Sequence, residues 1–365
     1  MKRKLTIQLL WAVCIVFSLS SCKNEMKPKE GYAAPVFETI QQVTTNRILP
    51  NFLFGLGQIS VVDSLLMYSG NTDLNEQLYH LFSINSGSYI RSFGYKGQGP
   101  GEVVNRTRHF VDHKDKMVYA YDMWQHKLVS YSLPDVLNEK SYGADLSFPS
   151  TVQNFVSQHL VYLNDQKFIV GYSSKGMVDN KYERNNRLMK TGLSDTIASI
   201  GIYPKLDEPE EYKNVEQFYF FYLGTMVAKP DGSRFAHATR SGCVMEIFDC
   251  EEDKIVPVGE FRFFKPNYKS KNRESRAPFV SQGEQAVNGI MSMFATDKYI
   301  YAAYDEGTGE LNRSQLAVFD WKGNPIKKLQ FEHKIIYFYI DQNDRNGYVL
   351  VQEADDEITL HQFRL

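Results

Sequence analysis

Histidine is the side chain of this sequence that most readily holds a metal or carries a proton at neutral pH. The chain has eight histidines, and only His109 and His113 stand close together. They are four residues apart at a predicted strand end, where this spacing does not direct both rings at one ion as it would on a helix. The sequence therefore predicts no metal site formed by residues close together in the chain, and no cofactor.

The glycine-rich segment Gly94–Glu102 is a second candidate for chemistry, because closely spaced glycines can direct backbone N–H groups at an anion. It holds four glycines and one proline in nine residues. However, Pro100 removes one N–H group, no Lys-Ser or Lys-Thr pair follows, and no helix is predicted after Glu102. The segment favours a sharp connection between two strands. The sequence also lacks a Gly-x-Ser-x-Gly nucleophile motif.

The elements that flank this segment are short runs of alternating apolar and polar residues, the pattern of half-buried strands. They recur as six units about fifty residues apart, a period that fits propeller blades better than a helical solenoid. The units are 59–93, 109–133, 159–200, 226–261, 290–331 and 335–365. The last unit has one strand too few, and we expect 36–43 to complete it beside 358–365. The sequence predicts an all-β, six-bladed β-propeller over residues 36–365, closed by pairing of its N-terminal and C-terminal strands.

Three consecutive segments resemble a blade junction of the TolB-like six-bladed propeller lipoproteins of Bacteroidetes. They are Phe93–Glu102, His109–Asp112 and Met117–Asp122. The resemblance implies a six-bladed propeller and a lipoprotein of the cell envelope. It implies no catalytic residues, because the family is largely without established biochemistry.

The N-terminus has the parts of a secretory signal peptide: Lys2, Arg3 and Lys4, then an apolar run too short to span a membrane comfortably. The following Leu19–Cys22 resembles a bacterial lipobox. It implies a lipoprotein signal peptide at 1–21, lipid on Cys22, and a flexible stalk at 22–35, so that the membrane is a partner through the lipid. We expect an outer-membrane lipoprotein at the periplasmic face or the cell surface. The alternative is an ordinary cleaved signal with an incidental cysteine.

The charge of the chain argues against nucleic acid as a partner. There are 41 basic and 43 acidic side chains, and loss of a signal peptide with three basic residues would make the protein more acidic. A weakly acidic surface does not attract polyanions or anionic membranes.

Two cysteines lie in the predicted propeller, Cys243 and Cys250. They stand at the ends of a predicted strand, which places them about 23 Å apart and on opposite faces, too far for a disulfide. We expect two unpaired, mostly buried thiols.

Residues from different blades can meet in the central channel of a propeller, so a composite ligand site can form without a local motif. The candidates stand at the starts of predicted inner strands: Arg106, His109, Met226 and Met291. A second candidate is the aromatic run Phe218–Tyr222, in which Tyr219 and Tyr222 could offer a platform to a sugar or a protein. Packing within a blade is the other interpretation of that run.

The leading hypothesis is an envelope-anchored, non-enzymatic propeller module that binds an envelope protein or a glycan. It follows from the predicted anchor, the ring of blades and the lack of a catalytic motif. The alternative is a hydrolase or lyase with a metal-dependent site in the central channel. A third interpretation, by fold analogy alone, is a role in envelope assembly that resembles the propeller partner of an outer-membrane transport system.

Overall fold

The computed structural model describes residues 31–70, 77–104, 109–122, 125, 127–149, 159–171, 188–200, 224–239, 242–271, 279–282, 285–309 and 311–365. The regular structure of this part is almost entirely β. In these ranges no helix has both the length and the apolar character that a membrane crossing requires.

Most strands belong to six sheets that form the blades of a propeller. Two strands precede the first blade: β1 (Ile40–Gln42) and β2 (Thr45–Ile48). Blade 1 contains β3 (Gly57–Val62), β4 (Leu65–Gly70), β5 (Tyr79–Ser83) and β6 (Ser88–Phe93), and is followed by the short pair β7 (Tyr95–Lys96) and β8 (Glu102–Val103). Blade 2 contains β9 (His109–Asp112), β10 (Met117–Asp122), β11 (Lys127–Ser132), the helix α1 (Leu133–Leu137) and β12 (Ala144–Ser147). Blade 3 contains β13 (His159–Tyr162), β14 (Phe168–Gly171), β15 (Leu188–Thr191) and β16 (Thr196–Ile200).

The second half of the chain continues the same pattern. Blade 4 contains β17 (Gly224–Ala228), β18 (Arg234–Thr239), β19 (Val244–Cys250) and β20 (Ile255–Arg262), and is followed by the hairpin β21 (Tyr268–Lys271) and β22 (Phe279–Gln282). Blade 5 contains β23 (Val287–Ala295), β24 (Tyr299–Thr308), β25 (Gln315–Asp320) and β26 (Pro325–Gln330). Blade 6 contains β27 (Lys334–Ile340), β28 (Asn346–Gln352) and β29 (Ile358–Arg364), with β2 as its fourth strand.

The first strand of each blade is its inner strand. Around the axis, β3 contacts β27, β27 contacts β23, β23 contacts β17, β17 contacts β13, and β13 contacts β9. Six apolar clusters fill the spaces between neighbouring blades, and one of them joins blade 6 to blade 1. Burial of each sheet against its neighbours accounts for the ring. The predicted all-β, six-bladed propeller is confirmed.

The ring is closed by the N-terminal segment, but by a different strand from the predicted one. Strand β2 pairs antiparallel with β29, with Thr45 opposite Phe363. Of the predicted closing strand, 36–43, residues 40–42 form β1, which pairs in parallel with β26 of blade 5. The prediction was wrong because β-branched residues made 36–43 look more strand-like than the polar edge strand β2. An outer strand has few neighbours and needs little apolar surface.

The residues before β1 also contact the propeller. The N–H of Ala33 donates to the carbonyl oxygen of Arg262 in blade 4 at 2.8 Å. The ring of Phe37 packs edge-on against Phe319 of blade 5, with 5.4 Å between the ring centres. The ammonium group of Lys328 lies 5.1 Å from the centre of the Phe37 ring. The N-terminal segment therefore contacts blades 4, 5 and 6 in turn.

The glycine-rich segment connects blade 1 to blade 2 and is filled by its own glutamate. The N–H of Gly99 donates to Oε2 of Glu102 at 2.9 Å, and a Cβ on Gly97 would lie 2.0 Å from the same oxygen. At Gly101 φ is +70°, and a Cβ there would lie 2.4 Å from the carbonyl oxygen of Gly143. Glycine avoids both the strain and this contact. A carboxylate of this chain thus occupies the turn, as expected of a structural connection.

Blade 2 contains one strand that the sequence analysis did not identify, Ala144–Ser147. It pairs with β11 after α1 has reversed the chain direction. The hydroxyl of Ser132 caps this helix by accepting a hydrogen bond from the N–H of Asp135 at 3.3 Å. The strand is short and mostly exposed, so its sequence shows little apolar alternation.

The two cysteines are free and occupy different environments. Cys243 is buried and Cys250 is half-buried. Burial raises the pKa of each thiol to about 12. The prediction of two unpaired, mostly buried thiols is confirmed.

Candidate functional site

A cavity of about 540 Å³ lies on the axis of the propeller. All six blades contribute to its wall through their inner strands, and blades 2, 3, 4 and 6 also contribute residues of the hairpin that follows. Residues far apart in the sequence therefore meet at one place. The volume is within the range of about 300–1,000 Å³ that small-molecule sites occupy.

Three of the predicted ligand-binding residues can be placed in relation to this cavity. His109 and Met226 lie on its wall. Met291 instead packs against the apolar cluster between blades 5 and 6. The strand register shifts between Ile290 and Ser292, so that Ser292, and not Met291, lines the cavity.

The other predicted residues lie outside the described residues and stay predictions. They are the lipidation candidate Cys22 and the ligand-binding candidates Arg106, Tyr219 and Tyr222.

His109 joins blades 1 and 2 through buried hydrogen bonds. Its Nε2 lies 2.8 Å from Oγ of Ser60 on β3, and its Nδ1 lies 3.1 Å from Oγ of Ser69 on β4. Burial lowers its pKa to about 4, so the imidazole is neutral at pH 7. A serine beside an imidazole is a pair used in nucleophilic catalysis, but here the second nitrogen meets a hydroxyl where a triad has a carboxylate. His109 is therefore better placed to connect blades 1 and 2 than to act as a catalytic base.

Asp112 is a buried carboxylate at the end of β9, and neighbouring groups use both of its oxygens. Oδ2 accepts a hydrogen bond from the hydroxyl of Tyr162 in blade 3. Oδ1 accepts from the N–H groups of Lys114 and Asp115 at 3.0 and 3.2 Å. Burial, with help from the hydrogen bond to Asp112, raises the pKa of Tyr162 above its ordinary value. Asp112 and Tyr162 thus hold blades 2 and 3 together at the cavity wall.

Tyr339 occupies the wall on the side of blade 6. Its hydroxyl donates to the carbonyl oxygen of Val61 at 2.8 Å and lies 3.1 Å from Nε2 of His113. Its ring centre is 4.6 Å from that of Phe294. Burial lowers the pKa of His113 despite the nearby carboxylates. His113 and His109 thus have different partners.

The remaining charged side chains of the cavity are paired with each other. Nζ of Lys114 lies 3.8 Å from Oδ1 of Asp165, and Nζ of Lys229 lies 2.5 Å from Oδ2 of Asp231. Asp231 also accepts from the N–H of Ser233 at 2.8 Å. Among the described lining residues, the charges therefore largely compensate one another.

Three polar side chains on the wall make no side-chain hydrogen bond in the part of the chain that the structure describes. They are Thr225 on β17, Ser292 on β23 and Gln342 after β27. Thr225 is only 2% exposed. The hydroxyl oxygen of Thr225 is nevertheless not one of the fully buried, unpartnered side-chain atoms of the described residues, so it remains accessible and can form a hydrogen bond with a ligand in the cavity. Sequence reasoning missed these residues because single Thr, Ser and Gln side chains form no motif, and only the ring brings them together.

The groups that line the cavity can form non-covalent contacts with a ligand. Within the described ranges, no group of three or more His, Cys, Asp or Glu side chains is arranged to hold a metal ion. The groups that converge are hydroxyls, an amide and aromatic rings, which can form hydrogen bonds and ring contacts with a ligand.

Six blades of four strands each, with β1 added to the edge of blade 5, surround an axial cavity and define a six-bladed β-propeller. The sequence matches the family model described as "TolB-like 6-blade propeller-like" over residues 56–343. The chain belongs to this TolB-like six-bladed propeller family.

Several solved structures are similar to this chain at low sequence identity. A Bacteroides fragilis protein that is described as exported is 15% identical, with a TM-score of 0.55 over 91% of this chain and 97% of that one. A member of the DUF4221 family from Bacteroides vulgatus is 10% identical, with a TM-score of 0.49 over 91% and 96%. Regucalcin from Agrobacterium tumefaciens, a calcium-binding protein, is 10% identical, with a TM-score of 0.48 over 89% and 96%. None of the curated protein sequences matches this chain.

Proposed function

We propose that this protein is a lipoprotein of the bacterial cell envelope whose propeller binds a protein or a glycan at the axial cavity without catalysing a reaction. The observation that carries the proposal is the convergence of Thr225, Ser292 and Gln342, from three neighbouring blades, on one cavity. Their hydrogen-bonding groups have no partner in the described part of the chain. Membership of the TolB-like family supports the proposal as well.

The anchor is the lipid on Cys22, and the N-terminal sequence supports it. Cys22→Ser should leave the protein unlipidated and move it from the detergent phase to the aqueous phase when bacterial cells are extracted with a phase-separating detergent. Mass spectrometry of the wild-type N-terminus should find a lipid on Cys22. A wild-type N-terminus without lipid, or cleaved at another residue, would contradict the anchor.

The binding role can be tested by filling the cavity. Ser292→Trp places a large ring in the cavity, whereas Ser86→Trp makes the same change in the exposed hairpin between β5 and β6 of blade 1. Purified full-length protein and both variants would be incubated with an envelope extract, and the bound molecules identified by native mass spectrometry. We expect a molecule that binds wild type and Ser86→Trp but not Ser292→Trp. A molecule retained equally by all three, or none at all, would refute binding at the cavity.

A further inference from the structure

The polar groups that lack partners can both donate and accept hydrogen bonds. Thr225 and Ser292 each carry a hydroxyl, and Gln342 carries a carbonyl oxygen and an NH₂ group. They belong to blades 4, 5 and 6, whose inner strands contact one another in that order. A ligand that satisfies all three needs several polar groups of mixed donor and acceptor character on one side. Hydroxyl groups meet this requirement because each can donate and accept.

The charges of the cavity favour an uncharged ligand. Lys114 and Lys229 are each paired with an aspartate, and Asp112 is bonded to Tyr162 and two backbone N–H groups. His109 is buried and His113 is half-buried, and burial lowers the pKa of both, so that both are neutral at pH 7. A charged ligand would lose hydration, and it would find the opposite charges already paired or, at Lys114, whose side chain is 81% exposed, screened by solvent.

Aromatic rings supply the other part of the wall. Phe110 and Tyr162 come from blades 2 and 3, whereas Phe294 and Tyr337 come from blades 5 and 6. All four are half-buried, because each lines the cavity and also packs against an apolar cluster between blades. The negative face of an aromatic ring attracts the weakly positive hydrogen atoms of C–H groups. Such walls suit a ligand that has an apolar C–H face.

A pyranose ring combines an apolar C–H face with a rim of neutral hydroxyl groups. We propose that the axial cavity binds an uncharged sugar of one or two rings, held by Thr225, Ser292 and Gln342 and stacked on the aromatic wall. This inference rests on the proposed function, which makes the cavity the binding site. The cavity volume of about 540 Å³ has room for such a ligand.

Calorimetric titration of the purified full-length protein tests this inference. The probes are glucose, galactose, mannose, N-acetylglucosamine and their disaccharides, each compared with a charged counterpart such as glucuronic or galacturonic acid. We expect at least one neutral sugar to bind, and its acid to bind at least about tenfold more weakly. Thr225→Val removes the hydroxyl and keeps the shape, and should weaken binding about five- to tenfold. Thr44→Val makes the same change at an exposed residue and should leave affinity unchanged.

The outcomes separate this inference from the proposed function. If no neutral sugar binds, but Ser292→Trp still abolishes capture of another molecule, the sugar is refuted and the cavity remains the binding site. If nothing binds in either experiment, both proposals fail. A sugar that Thr225→Val and wild type bind equally, or an acid that binds more tightly than its neutral counterpart, also overturns the inference.

Discussion

The hydroxyl of Thr45 lies 2.9 Å from Nδ1 of His361, which joins side chains 316 positions apart in the chain. Nε2 of the same ring lies 3.1 Å from Oε1 of Glu353, and the hydroxyl of Thr359 donates to that oxygen at 2.7 Å. His361 thus connects the N-terminal strand to a set of bonded side chains in blade 6. Since β2 is the outer strand of that blade, this contact lies at the closure of the ring.

Thr45→Val should lower the free energy of unfolding by about 1 kcal/mol, because it removes a partly buried side-chain hydrogen bond and keeps the shape. The measurement is urea unfolding of the purified protein. Thr44→Val is the control, since Thr44 is exposed and makes no side-chain hydrogen bond in the described residues. Equal stability of the two variants would mean that backbone pairing alone holds β2 in place.

Phe37→Ala should destabilise the propeller by about 1–3 kcal/mol, because its half-buried ring packs on Phe319 and Tyr304. The adjacent Val36 is 77% exposed, so Val36→Ala should change stability by less than about 0.5 kcal/mol. Thermal unfolding of the two variants compares these residues directly. A small effect of Phe37→Ala would show that the segment before β1 contributes little to the fold.

A comparison of Gly101→Ala with Gly87→Ala separates the cost of a positive φ from the cost of a steric clash with the added Cβ. Both glycines have positive φ, but nothing lies within 4 Å of a Cβ on Gly87, whereas the oxygen of Gly143 lies 2.4 Å from a Cβ on Gly101. We expect Gly87→Ala to cost about 1–2 kcal/mol from strain alone. Gly101→Ala should cost at least about 1 kcal/mol more. Urea unfolding that gives equal losses would mean that the blade junction relaxes freely.

The stability of the protein should fall on acidification partly because of His109. Its pKa is about 4 in the folded protein, against 6.5 for an exposed histidine. Between these values the unfolded chain binds a proton that the folded protein does not, so stability is full above pH 6.5 and declines toward pH 4. The loss from this residue is on the order of 3 kcal/mol.

Urea unfolding of wild type and His109→Gln at several pH values measures this contribution. The variant will be less stable at neutral pH, since Ser60 and Ser69 lose their partner. Its free energy of unfolding should nevertheless decline less steeply between pH 6.5 and pH 4. The two proteins have the same other titratable groups, and only wild type has the additional loss from His109. If the free energy of unfolding fell equally with pH in the two proteins, His109 would be excluded as a source of the acid sensitivity.

The repeat of short strands was predictable from sequence because each inner strand shows an apolar pattern that the ring requires. The turn at Asp63 and the strands His109–Asp112 and Met117–Asp122 were located closely. The closing strand was not, since β2 is a polar edge strand. The bulge that turns Met291 away from the cavity depends on pairing between strands, which residue order alone does not reveal.

The cavity was predicted only in outline. Of the candidates expected to meet in the channel, His109 and Met226 lie on the cavity wall. The prediction considered only the starts of inner strands. Much of the wall comes from later residues of these strands and from the hairpins that follow, such as Asn164 and Gln342. The pairing of Lys229 with Asp231 and the lack of a partner at Thr225 follow from three-dimensional packing.

The position of β2 in blade 6 has a consequence for biogenesis. The partner of β2 is β29, Ile358–Arg364, so synthesis must pass Arg364 before the two strands can pair. Until then, blades 1 and 6 cannot pack together to close the ring. Their apolar faces are exposed and can self-associate. Loss of β29 alone would therefore leave an open arc of blades, whose exposed apolar surface proteases and chaperones can bind.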